Sequence, residues 1–321
     1  MARASRWLGG LGLLVSSVAC SSNGPSESSK PTHPTGNFSA PVSMTGAGYG
    51  VAISRSGVVY VTQISGHLLF RGQSPLTALT DTVVVGLTPA HVVFNPSGNR
   101  AYVTNQTSQT VSVVNVSTNR EIGSIPLGHD AFNLLVSPDG TRLYATVDVG
   151  TVYAINTATL MKVDSFSAGP VANGLAFSPD GSRLYVSSRD AGQVVIYNTV
   201  TGDLVDTLVT GGMPQRMAVS ADGNELYIAN EILGLDFWDL NAGTRITSVP
   251  IDAYGLALSP DNAQIYVTDP QTGILHIIDR ATRQAGHVSI IVQGTPRNIA
   301  FNRLGTEALI SNESGYVTVV R

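Results

Sequence analysis

The side chains best suited to chemistry in this chain stand in seven dipeptides, each directly ahead of a short apolar run. The dipeptides are Tyr49-Gly50, Ala90-His91, Phe132-Asn133, Asn173-Gly174, Gln215-Arg216, Tyr254-Gly255 and Arg297-Asn298. Arg216 and Arg297 can each hold a carboxylate or another anion through two parallel hydrogen bonds, and His91 can add a further donor. These residues predict a site that binds an anionic group.

Aromatic and amide side chains occupy the same positions in other repeats. Tyr49, Phe132 and Tyr254 can stack on a flat ligand or on a peptide side chain. Asn133 and Asn298 can both donate and accept hydrogen bonds. A second interpretation is that these polar groups only line a water-filled channel and satisfy one another. The sequence leaves both interpretations open.

Motifs for metal or cofactor chemistry are weak. A metal site needs ligands clustered at fixed spacing, whereas the six histidines stand in separate segments. Oxygen ligands for calcium are offered by Asn133, Asn173, Asn298 and Asp269. Asn and Asp are common in turns, so this grouping alone does not indicate calcium. The sequence contains neither a G-x-S-x-G motif nor a P-loop. We predict no metal and no cofactor.

A recurring tight turn defines the elements that must position these residues. The turn position is occupied by Gly57, Gly98, Gly140, Gly181, Gly223, Asn262 and Gly305, at spacings of 39 to 43 residues. Glycine accepts positive φ without strain, and asparagine tolerates it better than most residues. A repeat of about 40 residues with strand-like content predicts a β-propeller with one four-stranded blade per repeat. Seven turns therefore predict seven blades.

Each repeat reads as four strands in a fixed order. An apolar run such as Val51-Ala52-Ile53 predicts strand A, the innermost strand, buried on both faces. After the tight turn come strand B, with a tyrosine, strand C, which ends in Asn or Asp, and a more variable outer strand D. Past residue 20, no apolar helical periodicity extends over three turns. The predicted fold is all-β, a seven-bladed β-propeller with four antiparallel strands per blade.

These repeats resemble the YVTN-type β-propeller repeat of bacterial and archaeal surface proteins. The resemblance is clearest in Tyr102-Val103-Thr104-Asn105 followed by Val111-Ser112-Val113-Val114-Asn115, and it spans about residues 45–321. Only this one copy reads YVTN in full. The resemblance implies a surface-layer-like seven-bladed propeller. It implies no single activity, because propellers host many functions.

The last repeat provides only three strands before Arg321. An unpaired strand edge promotes aggregation, and repeat arrays need protected ends. We therefore predict that residues 37–44 form the outer strand of the last blade and pair with residues 316–320. Pro41 fits there because an outermost strand need not donate every amide. The alternative is that residues 37–44 are part of a linker.

The first 19 residues resemble a lipoprotein-type signal peptide. Arg3 and Arg6 precede an apolar stretch, residues 7–19, that is too short to span a bilayer. Cys20 follows as the only cysteine and is the predicted lipidation site. Ordinary secretory cleavage after Ala19 is the alternative. Residues 20–36, rich in Ser and Pro, predict a tether, and residues 37–321 predict the propeller domain. The expected location is extracytoplasmic, in the bacterial cell envelope, with membrane attachment through the lipid alone.

The charge of the chain limits the classes of partner that it can bind. Net charge is −4, and removal of residues 1–19 would take it to −6. The sequence has no basic run, and its only lysines are Lys30 and Lys162. This composition argues against binding to nucleic acid. We expect a monomer whose partner is an envelope protein, a peptide or a glycan.

Two functions are compatible with these features. The first is a non-enzymatic binding or scaffold module that uses the variable polar segments ahead of strand A. The second is a lactonase-like hydrolase, because the segments Pro89-Ala90-His91, Pro214-Gln215-Arg216 and Pro296-Arg297-Asn298 are similar to those of seven-bladed sugar-lactone hydrolases. That resemblance implies that His and Arg polarise a lactone and activate water. The sequence shows no paired acid and base, so we predict the binding module.

Overall fold

The computed structural model describes residues 32–34, 36, 38–285 and 289–321, and all regular structure in these residues is β-strand. No helix in this part of the chain is long and apolar enough to cross a membrane. The signal peptide predicted for residues 1–19, the lipidation site Cys20 and most of the tether predicted for residues 20–36 lie outside the described residues. The predicted all-β fold is confirmed.

The strands form seven separate antiparallel sheets, which are the seven blades. Blades 1 to 3 consist of β2 (Gly48–Ile53), β3 (Val58–Gln63), β4 (Leu68–Gln73), β5 (Leu79–Val84), β6 (Pro89–Phe94), β7 (Arg100–Asn105), β8 (Thr110–Asn115), β9 (Arg120–Pro126), β10 (Ala131–Val136), β11 (Arg142–Val147), β12 (Thr151–Asn156) and β13 (Lys162–Ser167). Within each blade the four consecutive strands pair in chain order, as strands A to D.

The later blades follow the same plan with two variations. Blades 4 and 5 consist of β14 (Ala172–Phe177), β15 (Arg183–Ser188), β16 (Gln193–Asn198), β17 (Leu204–Val209), β18 (Pro214–Val219), β19 (Glu225–Asn230), β20 (Gly234–Asp239) and β21 (Thr244–Val249). Blades 6 and 7 consist of β22 (Leu256–Leu258), β23 (Gln264–Asp269), β24 (Ile274–Asp279), β25 (Gln284–Ala285), β26 (Ile290–Ile291), β27 (Pro296–Phe301), β28 (Ala308–Asn312) and β29 (Tyr316–Val320), with β1 (Phe38–Ser43) as the outer strand of blade 7. In blade 6 the outer strand is divided into β25 and β26, which both pair with β24.

The turns between strands A and B have the conformation that their residues predict. All seven turn positions have positive φ, and Asn262, at 63°, matches the glycines. In the clearest copy, Ser137 Oγ donates to Asp139 and accepts the backbone N–H of Arg142 at 2.9 Å. The side chains of Ser137 and Asp139 form hydrogen bonds within the turn, so their role is structural.

The core lies between neighbouring blades. Strand B tyrosines in the first six blades are at most 2% exposed: Tyr60, Tyr102, Tyr144, Tyr185, Tyr227 and Tyr266. Several pack on a phenylalanine of the next blade, as in Tyr266 with Phe301, whose ring centroids are 4.8 Å apart. Each of these six blades thus buries its tyrosine against its neighbour, and these contacts help to hold the ring together.

The prediction that strand A is buried on both faces is wrong for its final residues. Ala52 and Ile53 in blade 1 are partly exposed, whereas β3 beside them is buried over five of its six residues. Strands A of neighbouring blades contact one another, as β2 does with β6. Their remaining face lines the central channel, where it meets solvent.

The closure of the ring by the N-terminal strand is confirmed. β1 pairs antiparallel with β29, with Phe38 opposite Val320 and Ser43 opposite Tyr316. The register is interrupted between Ser39 and Val42, the stretch that contains Pro41. A proline is tolerated at such an irregular outer position because its missing N–H removes no necessary ladder bond.

Two faces of the ring are distinguished below. The channel mouth is the face where strands A begin and strands B end; the turn face carries the A–B turns. The described residues before β1 lie on the turn face: Thr32 N–H donates to Leu304 O at 2.8 Å, and His33 Nδ1 is 2.5 Å from Asp261 Oδ2. Thr32 and His33 therefore contact the propeller on the side opposite the channel mouth.

Candidate functional site

The predicted site residues lie inside strand A rather than ahead of it in six of the seven blades. β2 already begins at Gly48 and β6 at Pro89, and only Tyr254-Gly255 precedes its strand. In these six strands the register with strand B shifts after the first residue, as between Pro89 and Val92. This local irregularity is a β-bulge, which changes the direction of side chains at a sheet edge.

A repeated hydroxyl fixes this irregular segment. In six blades, the strand A residue donates its N–H to a Thr or Ser of strand B; the acceptors are Thr62, Thr104, Thr146, Ser187, Thr268 and Ser311. Most of these hydroxyls also donate to a strand A carbonyl of the next blade, as Ser187 does to Gln215 O at 2.8 Å. The hydroxyls therefore join neighbouring blades at the channel mouth. In blade 5 the equivalent position is Ala229.

Arg216 lies on strand A of blade 5, the blade whose strand B lacks this hydroxyl. The residue is 8% exposed, and its Nη1 is buried without a hydrogen-bond partner among the described residues. None of the ion pairs formed by those residues includes Arg216. A buried guanidinium without an acidic partner is costly, so this group is suited to an anion from outside the protein.

Arg297 has a different environment from Arg216. Its Nε and Nη2 donate to the two carboxylate oxygens of Glu313 at 3.0 and 3.1 Å. Its guanidinium lies over the Tyr254 ring at 4.6 Å from the centroid and over the Tyr49 ring at 5.7 Å. The hydroxyls of Tyr49 and Tyr254 are hydrogen-bonded to each other. Arg297 is thus already neutralised, and it holds two aromatic walls in place.

His91 is neutral at pH 7. Burial, and then the positive charge of Arg216, hold the pKa of His91 well below its usual value near 6.5. Its Nδ1 accepts the backbone N–H of Leu134 at 3.4 Å, which leaves the ring proton on Nε2. A histidine with so low a pKa is a weak base, although it can still donate a hydrogen bond through Nε2.

The predicted amides are engaged in the frame of the site. Asn133 Oδ1 accepts the N–H of Leu134 at 2.8 Å, and Asn298 Nδ2 donates to Tyr49 O at 2.8 Å. The other oxygen donors considered for calcium are already hydrogen-bonded within the protein: Asn173 donates to Gln215, and Asp269 accepts from Thr272. Among the described residues no group of three His, Cys, Asp or Glu side chains is arranged to hold a metal ion.

A cavity of about 300 Å³ opens at the channel mouth beside Arg216. Of the predicted site residues, the structure brings together in it Tyr49, Phe132, Arg216 and Tyr254. His91, Asn133, Arg297 and Asn298 do not line this cavity. The eight predicted residues therefore divide into four that face the cavity and four that stand around it.

Sequence reasoning missed part of the cavity wall. Arg189 Nη2 donates to Glu231 at 3.2 Å, and Gln215 Nε2 donates to the other oxygen of Glu231 at 2.7 Å. Arg189 directly follows strand B of blade 4, just as Glu231 follows strand B of blade 5. The signal for Arg189 was therefore its position in the repeat, which matches that of Glu231.

A second cavity of about 460 Å³ adjoins the first and shares Glu231 and Tyr254 with it. Asp252 also lines this cavity, and no hydrogen bond or ion pair among the described residues reaches its carboxylate. Burial and the negative charges of Asp269 and Glu231 raise the pKa of Asp252. Asp252 was not predicted, because the prediction considered only the two residues directly ahead of each apolar run, although Asp130 stands at the matching position in blade 3.

The fold and the irregular polar mouth define a seven-bladed propeller with a cavity at one end of its channel. The family described as "Lactonase, 7-bladed beta-propeller" matches residues 69–234, just over half of the 321 residues. The chain belongs to this family. The match supports the propeller architecture, whereas the YVTN-type resemblance stays a prediction.

Solved structures share the fold at low sequence identity. A chain of Kuenenia stuttgartiensis hydrazine synthase is 18% identical, with a TM-score of 0.77 over 88% of this chain and 97% of that chain. At this identity the likeness shows the fold alone. No protein of curated function matches the sequence.

Proposed function

We propose that this protein is a binding module that takes the carboxylate, or an equivalent anionic group, of a peptide or small ligand at its channel mouth. Arg216 carries the proposal: it is 8% exposed, and its Nη1 has no hydrogen-bond partner among the described residues. A bound carboxylate would supply two acceptors for this guanidinium. Phe132, Tyr49 and Tyr254 would surround the rest of the ligand.

The electrostatics of the mouth favour binding over proton transfer. His91 has a pKa well below its usual value and would release a proton too readily to act as a base near pH 7. Glu231, a carboxylate on the wall of the Arg216 cavity, already accepts from Arg189 and Gln215. Burial raises the pKa of Tyr49, which keeps its hydroxyl protonated. His91, Glu231 and Tyr49 are thus each poorly suited to moving a proton.

We also propose that the module is extracytoplasmic and tethered through a lipid at Cys20. The signal-like residues 1–19 and Cys20 support this location. The position of residues 32–34 on the turn face is compatible with it, because a tether leaving that face would keep the mouth free for an envelope protein, peptide or glycan.

Replacing Arg216 with Ala is expected to weaken binding of hexanoate, a simple carboxylate, by about 10- to 100-fold. Hydrogen bonds to a charged group contribute roughly 1.5–3 kcal/mol, which corresponds to that range. Calorimetric titration of the full-length protein measures the affinity. Arg183→Ala is the matched control, because Arg183 is exposed at the turn face.

The proposal is wrong if wild-type protein does not bind hexanoate, or if Arg216→Ala binds it as well as Arg183→Ala does. Circular dichroism at the titration temperature shows whether each variant is folded.

Lactone hydrolysis is the second candidate function, because the chain belongs to the lactonase propeller family and His91 lies within the electrostatic influence of Arg216. In this alternative, Arg216 and the Nε2–H of His91 would polarise the lactone carbonyl. The binding proposal predicts that wild-type protein hydrolyses sugar lactones no faster than buffer does. Hydrolysis that is present in wild type and absent in His91→Ala would establish the enzyme instead.

A further inference from the structure

Two cavities of opposite charge meet at the channel mouth. The first contains Arg216 and the second contains Asp252, and Tyr254 and Glu231 line both. Arg216 is more than nine-tenths buried, and its Nη1 has no partner within the described residues. The two shared wall residues show that the cavities adjoin, which places Arg216 and Asp252 in neighbouring parts of the mouth.

The other charges of this region are paired within the protein. Arg297 is held by Glu313 at 3.0 and 3.1 Å, and Glu231 is held by Arg189 at 3.2 Å. Asp269 accepts the N–H groups of Gln271 and Thr272 at 2.9 Å, which satisfies one of its oxygens.

Among the described residues that line these two cavities, one cation and one anion have no oppositely charged partner. The cation is Arg216 in the first cavity, and the anion is Asp252 in the second. A ligand bearing a single negative charge would pair with Arg216 and leave Asp252 without a charged partner. A ligand with a charge of each sign would satisfy both.

We propose that the two cavities form one site for a zwitterionic ligand, an amino acid or short peptide, whose carboxylate binds Arg216 and whose ammonium binds Asp252. The inference rests on the proposed function and names the ligand class of the same site. The side chains of Met213 and Ile232 line the second cavity and offer apolar contact to the methylene groups between the two charges.

Calorimetric titration of the full-length protein with ligand pairs that differ only in the ammonium tests this. The zwitterions are glycine, 4-aminobutanoate and 6-aminohexanoate, and each is compared with the carboxylate of the same chain length: acetate, butanoate and hexanoate. The series samples the distance between the two charges. We expect at least one zwitterion to bind about 10-fold or more tightly than its carboxylate, because its ammonium gains a charge-assisted hydrogen bond.

Two variants assign the preference to its residues. Asp252→Asn is expected to remove the advantage of the zwitterion and to leave carboxylate affinity unchanged. Arg216→Ala is expected to weaken both members of each pair. Asp206→Asn is the matched control, because Asp206 is exposed on the outer strand β17 and should change neither affinity.

The outcomes separate the two proposals. If wild type binds carboxylates but no zwitterion binds more tightly, the inference is overturned while the proposed function stands. The inference is also overturned, and the proposed function again stands, if Asp252→Asn still binds the zwitterion more tightly than the carboxylate. If neither carboxylates nor zwitterions bind, both the inference and the proposed function are overturned.

Discussion

A chain without residues 38–43 is expected to melt at least about 10 °C below the intact protein. These residues form β1, the outer strand of blade 7, and their removal leaves β29 without one of its two neighbours. Val317 and Val319 are fully buried, and Val42 is 9% exposed in the same apolar cluster. Loss of the strand and of this burial costs on the order of 5 kcal/mol, and each kcal/mol lowers Tm by about 2–4 °C in a domain of this kind.

Two point variants on the same strand distinguish closure from general damage to the N-terminal segment. Val42→Asp places a charge on the buried side of β1, and Pro41→Asp places the same charge at the exposed neighbouring position. We expect Val42→Asp to lower Tm, because an unpaired buried carboxylate is strongly destabilising, and Pro41→Asp to leave Tm unchanged. Differential scanning calorimetry measures both. Equal melting of the deletion variant and the intact protein would contradict the closure.

Replacing Glu307 with Ala is expected to lower stability by about 1–3 kcal/mol, the usual cost of leaving a buried donor such as the Leu76 N–H without its acceptor. Glu307 is 1% exposed and lies just ahead of β28 in blade 7. Its carboxylate accepts from Leu76 N–H at 2.9 Å and from Arg321 Nη2 at 2.8 Å, and it also accepts from the Ser74 hydroxyl at 2.5 Å. The residue thus links blade 7 to blade 1 beside the closing strand.

Glu307→Gln separates the charge of this residue from its hydrogen bonds. The amide oxygen can still accept the Leu76 N–H, so this variant should lose less stability than Glu307→Ala. Glu121→Ala is the control, because Glu121 is exposed on β9. Chemical denaturation gives the free energy of unfolding for all three. A Glu307→Ala protein as stable as the Glu121→Ala protein would show that this contact does not hold the seam.

Most of the fold could be predicted because it depends on local, repeated chemistry. The positive φ of Gly140 and Asn262 follows from the types of residue that tolerate it. The closing strand followed from the need to protect the edge of residues 316–320, and the observed pairing, Phe38 with Val320, lies within the predicted range. The burial of strand A was less predictable, since an apolar run does not show that one of its faces lines a channel.

The candidate site could be predicted only in part, because its properties depend on which neighbours meet. Sequence reasoning treated Arg216 and Arg297 alike, although Arg216 is the second residue of its dipeptide and Arg297 is the first. Arg297 pairs with Glu313 of its own blade, whereas Arg216 has no acidic partner among the described residues and lowers the pKa of His91 in blade 2. The influence of Arg216 on a residue of another blade depends on distances across the channel, which repeat spacing does not supply.

One deviation in the repeat did mark the site. Strand B carries Thr or Ser at a fixed position in six blades, and these hydroxyls accept a strand A N–H. Blade 5 has Ala229 there, and blade 5 is the blade that contributes Arg216. In a repeat protein, a unit that lacks a side chain shared by the other units differs from them at that position. That difference marks blade 5, and with it Arg216, in the sequence alone.

The pairing of β1 with β29 also sets the order of events during biosynthesis. Phe38 and Val320 are adjacent in the sheet but far apart in the sequence. During translation β1 must therefore wait until β29 has been synthesised, and the ring stays open until then. Joining such distant segments is entropically costly and slow, so it is expected to be the final step of folding. A stalled or shortened nascent chain retains an unmatched first strand, which makes it a target for chaperones and proteases.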